Sequence, residues 1–147
     1  MRARTTVESS PGGVRRPASV TSRRPLRVLL VDDDADVLVM LQAVLTSRTL
    51  DVVGLATSGA DAERVAAAIA PDVAVVDYMM PGMTGLETAT RLKAIRPQCL
   101  VVIFSAFSEL AAEAEAHPDV DRFVAKTDIL ALDALLNEMR AARHTAD

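Results

Sequence analysis

Apolar residues recur along this chain with two alternating periods. Residues 26–31 (LRVLLV) form a nearly continuous apolar run, which is typical of a strand covered on both faces. The next apolar residues fall at the spacing of one helix face, namely Val37, Leu38, Leu41, Val44 and Leu45. This change from strand to helix repeats along the chain, so the pattern predicts five βα units.

The later strands and helices follow the same alternation. Further strands are predicted at residues 51–55, 72–77, 99–104 and 122–125. Further helices are predicted at about residues 59–69, 86–96 and 108–116, and from residue 129 onwards. Ser58 with Asp61, and Thr84 with Glu87, have the spacing of a capping box, and Asp128 is predicted to cap the last helix.

Five βα units with short connections indicate the α/β class. They predict a five-stranded parallel sheet, doubly wound, with five helices distributed over both faces. In such sheets, ligands bind outside the carboxyl ends of the strands. The residues that follow each strand are therefore the candidates for a functional site.

Composition supports one folded domain preceded by a different kind of segment. Half of the 147 residues are apolar, which is enough for a core, although only 3% are aromatic. Residues 1–25 have no hydrophobic period, and their six Arg and one Glu give them a net charge of +5. We predict a disordered Arg-rich tail over residues 1–25 and a folded domain over residues 26–147. Such a tail contacts nucleic acid or its own acidic domain in some proteins and is only a solvated extension in more of them.

The sequence also favours a cytoplasmic location. Cys99 is the only cysteine, so the chain cannot form an internal disulfide. No apolar run approaches the roughly 18 residues of a membrane span. No hydrophobic stretch follows the first arginines, as it would in a secretory signal. We expect a protein without a membrane segment.

Polar side chains follow four of the five predicted strands. They are Asp32, Asp33 and Asp34 after the first strand, Asp77 at the end of the third, Ser105 after the fourth and Lys126 after the fifth. An Asp at the end of a strand often only stabilises a turn, so Asp77 alone does not indicate a functional site. Acids, a hydroxyl and an amine that converge on one sheet edge are a much more specific signal.

The chemistry of these groups indicates a site for a metal ion and a phosphoryl group. Clustered carboxylates repel each other unless a cation joins them, and hard oxygen ligands favour Mg²⁺. A lysine and a hydroxyl can bind phosphoryl oxygens, and a carboxylate can itself be the nucleophile that forms an aspartyl phosphate. The sequence has no cluster of His and Cys that would bind zinc, and no glycine-rich phosphate loop.

In these motifs the chain resembles the receiver domains of two-component response regulators. The resemblance covers about residues 26–143. It rests on VDDD at the first strand, D-x-x-M-P-G-M-x-G at the third, S-A after the fourth and F-V-A-K at the fifth. It implies a flavodoxin-like fold with the strand order 2-1-3-4-5.

The resemblance implies a role for each acidic residue. Asp77 is expected to be the phosphoacceptor. Asp33 and Asp77 are expected to bind Mg²⁺ directly, and Asp32 mainly through water. The backbone carbonyl of Met79 is expected to supply a further ligand. Asp34 has no such role in the family, and we interpret it as the N-cap of the first helix.

The resemblance also implies roles for residues on the fourth and fifth strands. Ser105 is expected to hydrogen-bond the phosphoryl group, and Lys126 to pair with it. Phe123 matches the aromatic switch residue of the family, although it could simply belong to the core. Thr127 stands where many receivers have a proline after a cis peptide bond. The sequence therefore leaves open whether the Lys126–Thr127 peptide bond is cis or trans.

Together these expectations describe a stand-alone receiver. It would accept a phosphoryl group from a histidine kinase or phosphotransfer protein and change its binding to an unknown downstream protein, without a DNA-binding domain of its own. It would be a signalling domain rather than an enzyme. The alternatives are an aspartyl-phosphate phosphatase of the haloacid dehalogenase type and a receiver-like scaffold that is not phosphorylated. The first of these needs a second Asp two residues after the nucleophile, where this chain has Met79.

Overall fold

The computed structural model describes residues 24–146, and their side chains as far as Arg143. The strands are β1 (Leu26–Val31), β2 (Leu50–Ala56), β3 (Val73–Val76), β4 (Leu100–Ser105) and β5 (Arg122–Ala125). The helices are α1 (Ala35–Leu45), α2 (Gly59–Ile69), α3 (Gly85–Ile95), α4 (Ala111–Ala116) and α5 (Ile129–Ala146). A 3₁₀ turn over Ser108–Leu110 precedes α4. Each predicted element is present, and most bounds differ from the predicted ones by one or two residues.

The five strands form one parallel sheet in the order β2-β1-β3-β4-β5. This arrangement confirms the predicted doubly wound α/β fold and its strand order. The order reverses between β1 and β3, which pair directly from Val28 with Val73 to Val31 with Val76. A crevice therefore forms outside the carboxyl ends of these two strands, where open α/β sheets bind ligands.

Two apolar layers cover the sheet and explain why its strands are apolar on both faces. One layer contains buried side chains of α1 and α5, namely Leu38, Leu41, Leu45, Leu132, Leu136 and Met139. The other contains buried side chains of α2, α3 and α4, namely Ala62, Ala66, Ala89, Leu92 and Ala114. Four of these five helical side chains are Ala, so the helices contribute no aromatic side chain to the buried part of this layer. No helix in the described range 24–146 could cross a membrane.

The predicted helix caps are present, with one difference. Thr84 and Glu87 form a complete capping box, and Asp128 accepts a hydrogen bond from the Ala131 amide. Ser58 accepts from the Asp61 amide, but the Asp61 carboxylate accepts from the amide of Thr57 and not from that of Ser58. The box predicted for α2 is therefore only half formed.

Asp72, which the sequence placed inside the third strand, is a buried carboxylate at the amino end of β3. The Arg24 guanidinium lies 2.7 Å from its Oδ2 atom and that of Arg143 lies 2.9 Å from its Oδ1 atom, while the Arg27 amide donates to Oδ2 at 2.9 Å. Arg24, expected in the tail, thus contacts the folded domain. Residues 1–23 lie outside the described residues, so a disordered tail there stays a prediction.

The environment of Asp72 lowers the pKa of its carboxyl group. Burial alone would raise this pKa, but the hydrogen bonds from Arg24 and Arg27 and the positive charge of Arg143 outweigh burial. A depressed pKa in the folded state means that the ionised group stabilises the fold. This stabilisation is present above the ordinary pKa of 3.8 and is lost as the pH falls through the lower, folded value.

We predict that Asp72→Asn lowers the free energy of unfolding by about 2–3 kcal/mol at neutral pH, the range for hydrogen bonds to charged groups. The difference from wild type should shrink as the pH falls below 3.8. Urea denaturation at several pH values measures both effects. Asp51→Asn, at an exposed position on β2, is the matched control and should change little. An equal loss in both variants would contradict a specific role for Asp72.

Candidate functional site

Three carboxylates meet at the crevice between β1 and β3. The oxygens of Asp32, Asp33 and Asp77 lie within 4.8 Å of one another. The sheet itself positions them, because the Asp32 amide donates to the Ala56 carbonyl at 3.0 Å and the Asp77 amide to that of Val31 at 2.9 Å. Asp32 and Asp77 are buried, whereas Asp33 is exposed.

Lys126 joins two of these carboxylates. Its Nζ atom lies 2.6 Å from Oδ2 of Asp32 and 3.3 Å from Oδ1 of Asp77. Burial alone would lower the pKa of Lys126, but the hydrogen bond to Asp32 and the negative charge of Asp77 raise it. The ammonium group therefore stays protonated and offsets part of the negative charge.

The negative charge of Asp77 is only partly compensated by Lys126. Burial and the neighbouring charge of Asp32 raise the pKa of Asp77, and the opposing effect of Lys126 is smaller. A raised pKa in the folded state means that the ionised carboxylate is held at a cost in stability. That cost favours the binding of a cation beside Asp77.

Ser105 lies beside the lysine at the end of β4. The Lys126 amide donates to the Ser105 carbonyl at 2.8 Å, which fixes the ends of β4 and β5 together. The Ser105 side chain is buried, and its Oγ atom accepts a hydrogen bond from the Phe107 amide at 3.0 Å. Accepting this bond leaves the hydroxyl hydrogen of Ser105 for another acceptor.

Met79 and Phe107 each stand two residues after a residue described above, Asp77 and Ser105 respectively. They have 52% and 44% of their surface exposed. Phe123 is partly buried and packs against the apolar layer that contains Tyr78 and Ala114. No cis peptide bond occurs in the range 24–146, so the Lys126–Thr127 bond is trans. Thr127 thus replaces the cis proline of many receivers without a cis bond of its own.

The donor set fits a hard divalent cation. Carboxylate oxygens are the ligands that Mg²⁺ prefers. Both Asp32 oxygens are engaged, one by Lys126 and the other by the Asp34 amide at 2.9 Å. Within the described residues, the Asp33 carboxylate has no hydrogen-bond donor. Asp34 accepts from the Asp36 amide, as the predicted N-cap of α1.

Two features of this site did not follow from the sequence reasoning. Tyr78 is buried, and burial together with the Glu113 carboxyl group on α4 raises the pKa of its phenol. Gly85 approaches the end of β3 so closely that a Cβ atom there would clash with the Asp77 carbonyl oxygen. The second feature had a signal, since Gly85 ends the motif after the third strand. The first had none, because Glu113 is one of several acidic residues in an Ala-rich helix.

Comparison with known protein families identifies a family whose model includes the residues of this site. The response regulator receiver domain matches residues 28–139, which is most of the chain and includes every site residue above. The chain belongs to this family. It is a receiver domain of two-component response regulators, and this match favours the receiver over the phosphatase alternative.

Individual relatives agree with this assignment. The chain is 33% identical over 90 residues to the chemotaxis protein CheY of Thermotoga maritima, with 61% of this receiver and 75% of that protein covered. It is 41% identical over 86 residues to a protein-glutamate methylesterase/protein-glutamine glutaminase of Myxococcus xanthus, with 58% of this receiver but only 25% of that protein covered. The second relative therefore contains much that this chain does not match.

Solved structures show the same fold. The response regulator domain of CheB from Thermotoga maritima superposes with a TM-score of 0.69 at 25% identity. That comparison covers 84% of this receiver and 99% of the other chain. Nearly the whole of that domain therefore corresponds to the described part of this receiver.

The close packing of Gly85 against the end of β3 generates a prediction. In Gly85→Ala, the new Cβ atom meets the Asp77 carbonyl and the Tyr78 Cα atom, which are both backbone and cannot move aside cheaply. We expect a loss of about 3 kcal/mol in the free energy of unfolding. Gly82→Ala is the control, because Gly82 has a φ of +83° but no atoms within 4 Å of its added Cβ. It should lose only about 1 kcal/mol. Equal losses, measured by urea denaturation, would contradict the packing argument.

Proposed function

We propose that this receiver accepts a phosphoryl group on Asp77 from a histidine kinase or phosphotransfer protein, in a reaction that depends on Mg²⁺. The observation that carries this proposal is the lysine between two buried carboxylates, with a third carboxylate exposed beside them. Such a group is suited to hold a dianionic phosphoryl group next to a cation.

Asp77 is the best nucleophile of the three carboxylates. Asp32 has both oxygens engaged, and Asp33 is exposed to water. Asp77 is buried beside Lys126, and burial together with the charge of Asp32 raises its pKa, so its carboxylate is the least stabilised as an anion and is close to a cation that can hold a transferred phosphoryl group. An Asp77 carboxylate oxygen attacks phosphorus, the bond from phosphorus to the histidine nitrogen breaks, and the donor imidazole leaves.

The metal ligands would be Asp33 and Asp77 directly, Asp32 mainly through water, and the Met79 backbone carbonyl. Bound there, Mg²⁺ would neutralise the carboxylates and the charge that develops on the phosphoryl oxygens. The Asp33 carboxylate is exposed and has no hydrogen-bond donor among the described residues, which supports its role as a direct ligand. The two oxygens of Asp32 already contact Lys126 and the Asp34 amide, which supports a contact through water.

Ser105 and Lys126 would hold the transferred group. The Ser105 hydroxyl can donate to one phosphoryl oxygen while it still accepts from Phe107. Lys126 can exchange its contact with Asp77 for one with the phosphoryl group, since it already lies between Asp32 and Asp77. Phe123 would be the aromatic residue that repacks with this change, and its partial burial supports that role.

The receiver would act as a phosphoacceptor in signalling rather than as an enzyme on a separate substrate. Its partners would be a cytoplasmic kinase or phosphotransfer protein and a downstream protein whose binding changes on phosphorylation. A receiver-like scaffold without phosphorylation is disfavoured, because the acidic residues, the hydroxyl and the lysine are all present and close together.

The acceptor assignment is tested by labelling with a small phosphodonor. With acetyl phosphate and Mg²⁺, the protein should gain one phosphoryl group that is stable in acid and labile in base, as an acyl phosphate is. Asp77→Asn should gain none, whereas Asp51→Asn should be labelled like wild type. Intact-mass spectrometry measures the gain. Labelling of Asp77→Asn to the wild-type level would exclude Asp77 as the acceptor.

Met79 and Phe107 bear on how long the phosphorylated state lasts. Hydrolysis of the acyl phosphate needs a water molecule in line behind phosphorus, and in receivers these two positions flank its approach. Both side chains are apolar and cannot orient water by hydrogen bonding. Both are only about half exposed, and each stands two residues after a residue of the proposed site, Asp77 or Ser105. We therefore predict slow self-dephosphorylation.

Polar substitutions should speed this decay. Met79→Asn with Phe107→Glu should decay on the order of tenfold faster than wild type, below the roughly 10²–10⁴-fold that a well-placed general base contributes. Each single variant should show part of the effect. Met40→Asn, on the exposed side of α1, is the control and should decay at the wild-type rate. If neither single variant nor the double variant decays faster, the two side chains do not shield the site.

A further inference from the structure

Helix α1 exposes apolar side chains that no other described element covers. Val39, Met40 and Val44 have 63%, 39% and 51% of their surface exposed, and Ala43 is exposed between them. These four residues recur at spacings of three and four positions, so they share one side of the helix. Asp36 is the only charged residue of α1, whereas each of the other described helices has at least two. A contiguous apolar surface of this kind is typical of an interface with another protein.

The apolar residues on this side of α1 are symmetric about one point. Val39 and Met40 lie as far before the middle of residues 39–44 as Val44 and Ala43 lie after it. If two copies of α1 pack antiparallel about a two-fold axis at that point, Met40 of each copy opposes Ala43 of the other. Val39 then opposes Val44 in the same way. A long side chain thus faces a short one, so the surface is complementary to itself, as a two-fold interface requires.

Charges of opposite sign lie at the two ends of this surface. Asp36 is in the first turn of α1, Arg48 follows the end of the helix, and both are exposed. Within residues 24–146, neither the Asp36 carboxylate nor the Arg48 guanidinium makes an ion pair or a hydrogen bond. The midpoint of these two positions is residue 42, which is next to the middle of the apolar residues. The same antiparallel packing therefore places Asp36 of each copy near Arg48 of the other, and it brings opposite ends of the helix dipoles together.

We propose that Val39, Met40, Ala43 and Val44 form a self-association surface, here called the α1 face, through which two copies of this chain pack their α1 helices antiparallel. The symmetry of the apolar residues and the opposite charges at the two ends both favour a second copy as the occupant. This inference does not depend on the proposed function, because it needs neither a metal ion nor a phosphoryl group.

The size of the α1 face predicts a weak dimer. One helix of 11 residues per copy buries less than the roughly 800 Å² per partner of a standard interface. We therefore expect a reversible dimer with a Kd on the order of 100 µM. Sedimentation equilibrium of the full chain, without Mg²⁺ or a phosphodonor, should show monomer about tenfold below this Kd and mostly dimer about tenfold above it.

Two matched lysine substitutions test whether the α1 face is responsible. Val44→Lys places an ammonium group within the proposed apolar contact of each copy, so it should raise the Kd at least tenfold. Leu130→Lys makes a similar change on α5, where Leu130 is 84% exposed outside the α1 face. It should associate like wild type. Since both positions are exposed, neither lysine disturbs the core.

Exchange of the two terminal charges tests the pairing between copies. Asp36→Lys and Arg48→Glu should each raise the Kd about fivefold, because each replaces two exposed ion pairs of the dimer by like charges. The double variant restores opposite charges across the interface and should return to within about twofold of the wild-type Kd.

Cysteine cross-linking tests the orientation of the two helices. Ala43 lies near the proposed axis, so Ala43→Cys should form a disulfide-linked dimer on oxidation. Ala35 is exposed at the start of α1 and would lie about 20 Å along the helix from its counterpart. Ala35→Cys should therefore stay unlinked. Cys99 is buried and remains in both variants.

The outcomes decide between a second copy and any other occupant. If wild type stays monomeric over this range, or if Leu130→Lys weakens the dimer as much as Val44→Lys, the α1 face is not a self-association surface. Cross-linking of Ala35→Cys as readily as Ala43→Cys, or a double charge variant no better than its singles, would refute the antiparallel packing. A dimer that is weakened by Val44→Lys, unaffected by Leu130→Lys and restored by charge exchange supports the proposal.

Discussion

Repulsion among three carboxylates within 4.8 Å of one another is the constraint on which the rest of this site depends. Like charges at this separation cost several kcal/mol at the effective dielectric of a protein surface unless a positive group lies among them. Lys126 supplies one positive charge, and it reaches Asp32 and Asp77 because β4 and β5 end side by side. One ammonium group does not balance three carboxylates, so the fold leaves negative charge that a cation can neutralise.

The short strand β3 shows how the same side chain serves two purposes. Its four apolar residues are flanked by Asp72 and Asp77, which are both buried. Asp72 has guanidinium groups of Arg24 and Arg143 beside it and a lowered pKa, so its charge stabilises the fold. Asp77 has a raised pKa, so its charge is held against stability. The carboxylate at the amino end of the strand therefore stabilises the fold, whereas the one at the carboxyl end is ionised at a cost in stability.

The sequence was sufficient for the fold and for the carboxylate group, for physical reasons. Apolar runs such as residues 26–31 distinguish strands buried on both faces, and parallel strands bring Asp32, Asp77 and Lys126 to one edge whatever the details of packing. Contacts between elements distant in sequence were not accessible in this way. The contacts of Asp72 with Arg24 and Arg143 depend on where long side chains end in three dimensions, and no spacing along the chain encodes that. The predicted capping box at Ser58 formed only in part for a similar reason. The Asp61 carboxylate accepts a hydrogen bond from the Thr57 amide, which is also within its reach, and not from the Ser58 amide.

The most direct test of this account is the affinity for Mg²⁺ without any phosphodonor, measured by calorimetry on wild type and three single variants. Asp33→Ala and Asp77→Asn each remove a proposed direct ligand and should weaken binding by at least roughly tenfold, the loss typical even of outer-shell changes. Asp34→Ala removes an adjacent carboxylate that only caps α1. It should keep the wild-type affinity and lose only about 1 kcal/mol of stability. Wild-type affinity in Asp77→Asn, or an equal loss in Asp34→Ala, would contradict the claim that uncompensated charge at these strand ends forms the cation site.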